Sequence, residues 1–252
     1  LRVSWRKGFP PVFVHSDYRT QLKSHRDISA AKFSGDFIAA SRVVQDLASD
    51  EKLDRIADLI RHQRTFVVSP GKEYEKRENA LAPVFAAWIA RQMDIDVCPT
   101  IFLAPRTRRD FSGGWERLVN PSVFYGMIPY DSDFIVADDV CTMGGTIADL
   151  ISFLELGGGR VICSTALAAD SGKDVPLAIS DTTAFELHKE FRGQLDAFLR
   201  EGLGYGIGCL TEREAGLFRG KGPGLERVRA ALQRARHLVD ARAGREGGGG
   251  NA

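Results

Sequence analysis

Residues 134 to 146 read Phe134-Ile135-Val136-Ala137-Asp138-Asp139-Val140-Cys141-Thr142-Met143-Gly144-Gly145-Thr146. Four apolar positions precede two adjacent carboxylates, and a small Gly/Thr loop then enters a helical pattern. A short apolar run of this kind predicts a parallel strand buried on both faces. Such a strand delivers Asp138 and Asp139 to the crevice beyond the carboxyl ends of an open α/β sheet, where ligands bind. The loop offers backbone N–H groups at a helix amino terminus, hydroxyls on either side, and glycines that let a phosphate approach closely. Two carboxylates beside that cradle would repel a bare polyphosphate. They suit vicinal hydroxyls or a metal-bound sugar phosphate.

Working outward, strands alternate with helices. Residues 65–69 form a short β-branched strand stopped by Pro70-Gly71, and two amphipathic helices are expected before it, the first across 31–48. Leu81, Val84, Phe85, Trp88 and Ile89 mark a helix, and 97–103 resumes extended structure. A loop rich in Arg and Gly runs from Pro105 to about Pro121, followed by strands at 123–127 and 134–137. A helix over 146–156, a Gly157-Gly158-Gly159 stop and a strand over 160–168 complete a second crossover. The order predicts an α/β fold, a largely parallel twisted sheet flanked by helices, with helical additions at both ends. The expected divisions are 1–64 (a helical extension), 65–169 (the core), 170–243 (a partly helical extension) and 244–252 (a disordered glycine-rich tail).

With that frame in place, residues 134–146 resemble the phosphoribosyl diphosphate (PRPP) motif of the type I phosphoribosyltransferases. The resemblance implies that Asp138 and Asp139 hold the ribose 2- and 3-hydroxyls, with any metal role indirect, through PRPP and water. It implies that Cys141, Thr142, Met143, Gly144, Gly145 and Thr146 wrap the 5-phosphate. Ser69, Pro70, Gly71 and Lys72 stand where the family carries a diphosphate loop, although the following Glu73 to Glu78 is longer and more charged than usual. The family's mobile loop matches Arg106 to Trp115, in which Arg108 and Arg109 are the candidate catalytic cations and Gly113-Gly114 a hinge. Mg²⁺ is implied as the cofactor and would arrive with the substrate, since it often binds through one or two carboxylates plus substrate phosphates. The activity implied is transfer of ribose 5-phosphate from PRPP to a nucleobase-like acceptor with release of pyrophosphate. The alternative is a non-catalytic sensor of PRPP or nucleotides. Read from the residues alone, a βα turn with exposed aspartates or the acidic strand end of a nucleotide hydrolase also stays open. No GxxxxGK[ST] loop supports the hydrolase.

The rest of the chain narrows the class. Its 252 residues carry 34 Lys and Arg against 33 Asp and Glu, so any affinity for anions is local rather than global. No apolar run has the length of a membrane-spanning helix, and nothing at the amino terminus reads as a signal peptide. Cys98, Cys141, Cys163 and Cys209 form no CxxC pair, which points to a reducing cytoplasm rather than a disulfide scaffold or zinc ribbon. The five histidines, His15, His25, His62, His188 and His237, lack a Ser or Cys partner pattern and read as structural. Asn79 reads as a helix cap. A hood for the acceptor base is expected either from the amino-terminal helices, including His15-Ser16-Asp17-Tyr18, or from 169–191, with Asp170 as a candidate contact.

Residues 219–245 hold eight Lys or Arg against Glu226 and Asp240, and Leu225, Val228, Leu232, Ala235 and Val239 recur at helical spacing. Three readings compete: a helix docked on its own core, a homodimer contact, and nucleic-acid contact. The lack of interleaved aromatics counts against single-strand binding.

Overall fold

The computed structural model describes residues 1–61, 64–71, 79–104, 113–219 and 224–247. The chain opens on β1 (Phe13–Asp17), a single π-helical turn, and three helices, α1 (Ile28–Phe33), α2 (Phe37–Leu47) and α3 (Asp50–Ala57). Then follow β2 (Thr65–Val68), α4 (Leu81–Met93), β3 (Asp96–Val97), β4 (Ile101–Leu103), α5 (Gly114–Val119), β5 (Phe124–Gly126), β6 (Asp133–Cys141), α6 (Gly145–Leu156) and β7 (Arg160–Ala169). The carboxyl-terminal region is helical: α7 (Asp181–Glu190), α8 (Gln194–Leu203), a 3-10 turn, α9 (Glu212–Ala215) and α10 (Leu225–Gly247).

Five strands form one wholly parallel sheet in the order β1-β7-β6-β2-β3, while β4 and β5 pair antiparallel beside it. Thr65–Val68 is therefore not the first strand. Phe13–Asp17 precedes it and lies along β7 in the register Phe13↔Thr165 to Asp17↔Ala169. The segment 97–103 is likewise two strands in different sheets, and the stretch before Pro121 holds α5 rather than only a loop.

The central strand β6 is buried on both faces because helices cover each side. Ile135 and Ala137 pack into a core built with α2, α3 and α4, while Phe134 and Val136 pack into a core with α6. Strand alternation explains the division, successive side chains leaving on opposite faces. A third core joins α5 to α7, α8, α9 and α10 through Leu118, Leu187, Leu199, Phe218, Val228 and Leu232. The apolar stripe of α10 thus docks on α5 and α8 of its own chain, while Arg227, Arg229, Arg234 and Arg236 beside it stay exposed. Its helix continues through 244–247, where a disordered tail was expected, because no proline or cap interrupts the pattern.

Candidate functional site

Pairing with β7 carries β6 as far as Cys141, opposite Ala169, so the carboxylates sit within the strand rather than after it. Strand β2 leaves the sheet at Val68, opposite Val136, two register positions before Asp138. The Ser69-Pro70-Gly71 turn, closed by Gly71 N–H donating to Ser69 O at 2.8 Å, therefore departs beside the acidic pair. Lys72, Arg106, Arg108 and Arg109 lie outside the described residues.

Both aspartates are buried, 8% exposed each. Asp139 belongs to the face of α1 and α4: its Oδ2 accepts from Asn79 Nδ2 at 2.6 Å and lies 3.0 Å from Lys32 Nζ. Asp138 Oδ1 accepts from the Asp139 backbone N–H at 2.8 Å. Burial and the adjacent Asp139 charge push Asp138 well above the usual carboxylate range. Burial also acts upward on Asp139, but Lys32, the Asn79 amide and the Val140 N–H outweigh it and hold that group below its ordinary value. Adjacent buried carboxylates titrate as a unit, with Asp138 the member shifted upward and Asp139 the member held down, facing the lysine.

The loop that follows turns at Gly144, whose φ of +77° is a left-handed conformation, and a Cβ there would stand 2.6 Å from Leu177 Cδ1. Gly145 opens α6, so the free amides of its first turn face the crevice end of β6. Thr142 is exposed, while Met143 and Thr146 are half-buried. Cys141 is no nucleophile: burial, then the nearby Asp138, push its thiol up to about 12.

The loop is braced from behind by residues far away in sequence. Thr211 Oγ1 donates to Met143 O at 2.6 Å, and Arg213 donates to the Thr142 carbonyl. Arg117 of α5 donates to the Thr142 hydroxyl. Arg2 donates to Gly145 O at 3.3 Å, to Glu214 at 2.5 and 3.0 Å, and to Asp149 at 2.7 Å, while stacking on Tyr205. Gly113 and Gly114, the candidate hinge, stand at the start of α5, Gly113 as its cap, and a Cβ on Gly114 would meet Leu217 at 2.8 Å and Met143 Sδ at 3.1 Å, so Gly114 permits close packing onto the loop after β6.

Among the candidates from the sequence, Asp138, Asp139, Ser69 to Gly71 and Cys141 to Thr146 thus share one end of the parallel sheet. Lys32, Asn79, Arg117, Arg213 and Arg2 join them without having been expected there. Asn79 does act at the start of α4, its Oδ1 accepting from Leu81 N–H at 3.0 Å, but its amide nitrogen serves Asp139. Asp170 pairs instead with Arg19 at 3.6 Å. Among the described residues, no group of three or more His, Cys, Asp or Glu is placed to hold a metal.

No protein-family model matches the chain. It is 30% identical over 243 residues to Protein TraN of Escherichia coli, covering 96% of this chain and 53% of that protein. It is 26% identical over 154 residues to an uncharacterized protein of Haemophilus influenzae, covering 61% of this chain and 34% of that one. The chain spans about half or less of these curated relatives. Structural neighbours include adenine phosphoribosyltransferases and a UMP synthase. Adenine phosphoribosyltransferase of Leishmania donovani covers 67% of this chain and 87% of its own, at 14% identity and a TM-score of 0.32. UMP synthase of the same organism covers 80% and 34%, at 15% identity and a TM-score of 0.25. Scores of this size carry no argument about activity.

Proposed function

We propose that the protein is a type I phosphoribosyltransferase that moves ribose 5-phosphate from PRPP to a nitrogen atom of a nucleobase-like acceptor, releasing pyrophosphate. One observation carries this reading: a buried acidic pair and a Gly/Thr loop at a helix amino terminus follow one another at the same end of a parallel sheet. The acidic pair accepts hydrogen bonds from ribose hydroxyls, and the loop amides with the Thr142 and Thr146 hydroxyls hold the 5-phosphate. In the reaction the bond from the anomeric carbon to the diphosphate oxygen breaks, the diphosphate leaving with the electron pair. The acceptor nitrogen forms the new bond and its proton passes to solvent. Catalysis is positioning and charge stabilisation of an oxocarbenium-like centre.

Magnesium fits this site only as an ion carried in by the substrate. The donors are hard carboxylate oxygens, one of which already serves Lys32 and Asn79, and Mg²⁺ supplies charge neutralisation on the diphosphate. All four thiols are buried and unpaired, in keeping with the cytoplasmic placement that belongs to the same proposal. Among the described residues no helix is long and apolar enough to cross a membrane.

The test is Mg²⁺-dependent PRPP binding by calorimetry, before and after combining Asp138→Asn with Asp139→Asn, followed by pyrophosphate release with purine, pyrimidine and orotate acceptors. Loss of at least about a hundredfold in affinity is expected, the scale of two charged hydrogen bonds. Unchanged affinity removes the reading. Binding without turnover on any acceptor converts it to a PRPP sensor.

A further inference from the structure

The acidic pair has a counter-ion that belongs to neither the strand nor the phosphate loop. Lys32 lies on α1, and its ammonium stands 3.0 Å from Asp139 Oδ2. Both side chains are largely withdrawn from water, 22% and 11% exposed. Asn79 Nδ2 donates to the same oxygen from the opposite side in sequence, ahead of α4. Two donors on one carboxylate oxygen fix the orientation of the group, and a cation at that distance neutralises the charge that would otherwise draw in a metal ion. Hydroxyl donors are affected differently from cations. A neutral diol still finds acceptors on Asp138 and on the oriented Asp139, whereas a divalent ion would meet a site already paired with Lys32.

Resting on the phosphoribosyltransferase reading, we propose that Lys32 is a positioning residue which tunes the acidic pair to accept a sugar diol and to refuse direct coordination of a divalent cation. The amino-terminal addition thereby becomes part of the sugar site. The proposal accounts for two features together: the pair is buried, which is costly for unpaired carboxylates, and no third metal-ligating side chain accompanies it among the described residues.

The experiment uses the full chain and two probes, Mn²⁺ alone followed by electron paramagnetic resonance, and ribose 5-phosphate against 2-deoxyribose 5-phosphate by calorimetry. Lys32→Met is expected to tighten Mn²⁺ and to weaken ribose 5-phosphate, each by about tenfold, the scale of one partly screened charge contact. Lys32→Arg should restore both. A lysine that merely supported the fold would not move the two ligands in opposite directions. Asn79→Ala removes a donor but no charge, so it should weaken ribose 5-phosphate without any gain in Mn²⁺ affinity. It also keeps the test alive should Lys32→Met fail to fold. Mn²⁺ binding to the wild type as tight as to Lys32→Met overturns the proposal, as does a gain of Mn²⁺ affinity in Asn79→Ala. Failure of the phosphoribosyltransferase reading looks different: the wild type would bind ribose and deoxyribose 5-phosphates equally, whatever Mn²⁺ does.

Discussion

The two ends of the segment 134–146 are held in opposite ways. Its acidic end is secured from one face of the sheet by short-range chemistry in a crowded layer: Lys32 and Asn79 meet a single oxygen of Asp139. Its Gly/Thr end is secured from the other side by a network that reaches across the whole chain. Arg2 lies 212 residues from Glu214, with which it shares two hydrogen bonds, and Thr211 and Arg213 of the same region hold the carbonyls of Met143 and Thr142. A carboxylate must be kept in place against its own desolvation, so it needs a cation. A loop that points its amides outward must instead have its carbonyls tied behind it. The amino-terminal addition serves both ends of this one contiguous motif, through Lys32 and Arg2, and the carboxyl-terminal addition serves the loop end.

Removing Arg2 attacks the second arrangement at its strongest point. Arg2→Met leaves Asp149 and Glu214, 4% and 3% exposed, without their shared cation. Breaking a buried ion pair from one side costs about 3–5 kcal/mol, which urea denaturation would read directly. A loss under about 1 kcal/mol would show that the carboxylates relax toward water and that the network is not what holds the loop.

The first arrangement is tested by acid. His15 in β1 accepts from the Ser49 N–H at 2.8 Å and hydrogen-bonds Thr165 Oγ1 at 3.1 Å, tying the edge strand to the helical layer that carries Lys32. Burial, and next the Lys52 charge, lower its pKa from 6.5 to about 4. Between those values the unfolded chain binds a proton that the folded chain refuses. The stabilisation is therefore complete above pH 6.5 and is lost as pH falls toward 4, amounting to about 3 kcal/mol for this group. His15→Gln should flatten that part of the stability profile. An unchanged slope would place the acid sensitivity elsewhere.

These residues also mark what could be read from the sequence. The acidic pair and the Gly/Thr loop were legible because their chemistry is contiguous, and the strand, turn and helix that present them follow local rules of periodicity and glycine placement. Strand β1 was not, since Phe13-Val14-His15-Ser16-Asp17 holds three polar residues: His15 and Ser16 find their partners on β7 and after α2, and Asp17 caps the turn that follows. Lys32 sits in an unremarkable six-residue helix, and Arg2 looks like one more surface cation until the fold closes on it. Asn79 carried a usable signal as a polar residue at the start of a helix facing the crevice, but only half of its role follows from capping.

Smaller perturbations separate the geometry of the proposed phosphate loop from its support. Gly144→Ala forces a left-handed conformation on an L residue and drives a Cβ to 2.6 Å from Leu177, at a cost of about 2 kcal/mol. Because the distortion falls at the turn itself, inorganic phosphate affinity should drop along with stability while the Lys32–Asp139 pair is untouched.

Thr211→Val is subtler. It deletes the hydroxyl that donates to Met143 O and caps α9 by accepting from Glu214 N–H at 3.0 Å, but it preserves the buried shape. The expected loss is about 1 kcal/mol, and Thr211→Ser should recover most of it. If phosphate affinity falls in Thr211→Val as far as in Gly144→Ala, the carbonyl brace sets the direction of the loop amides. If only stability falls, the turn at Gly144 sets that direction unaided, and the carboxyl-terminal addition anchors the loop without shaping it.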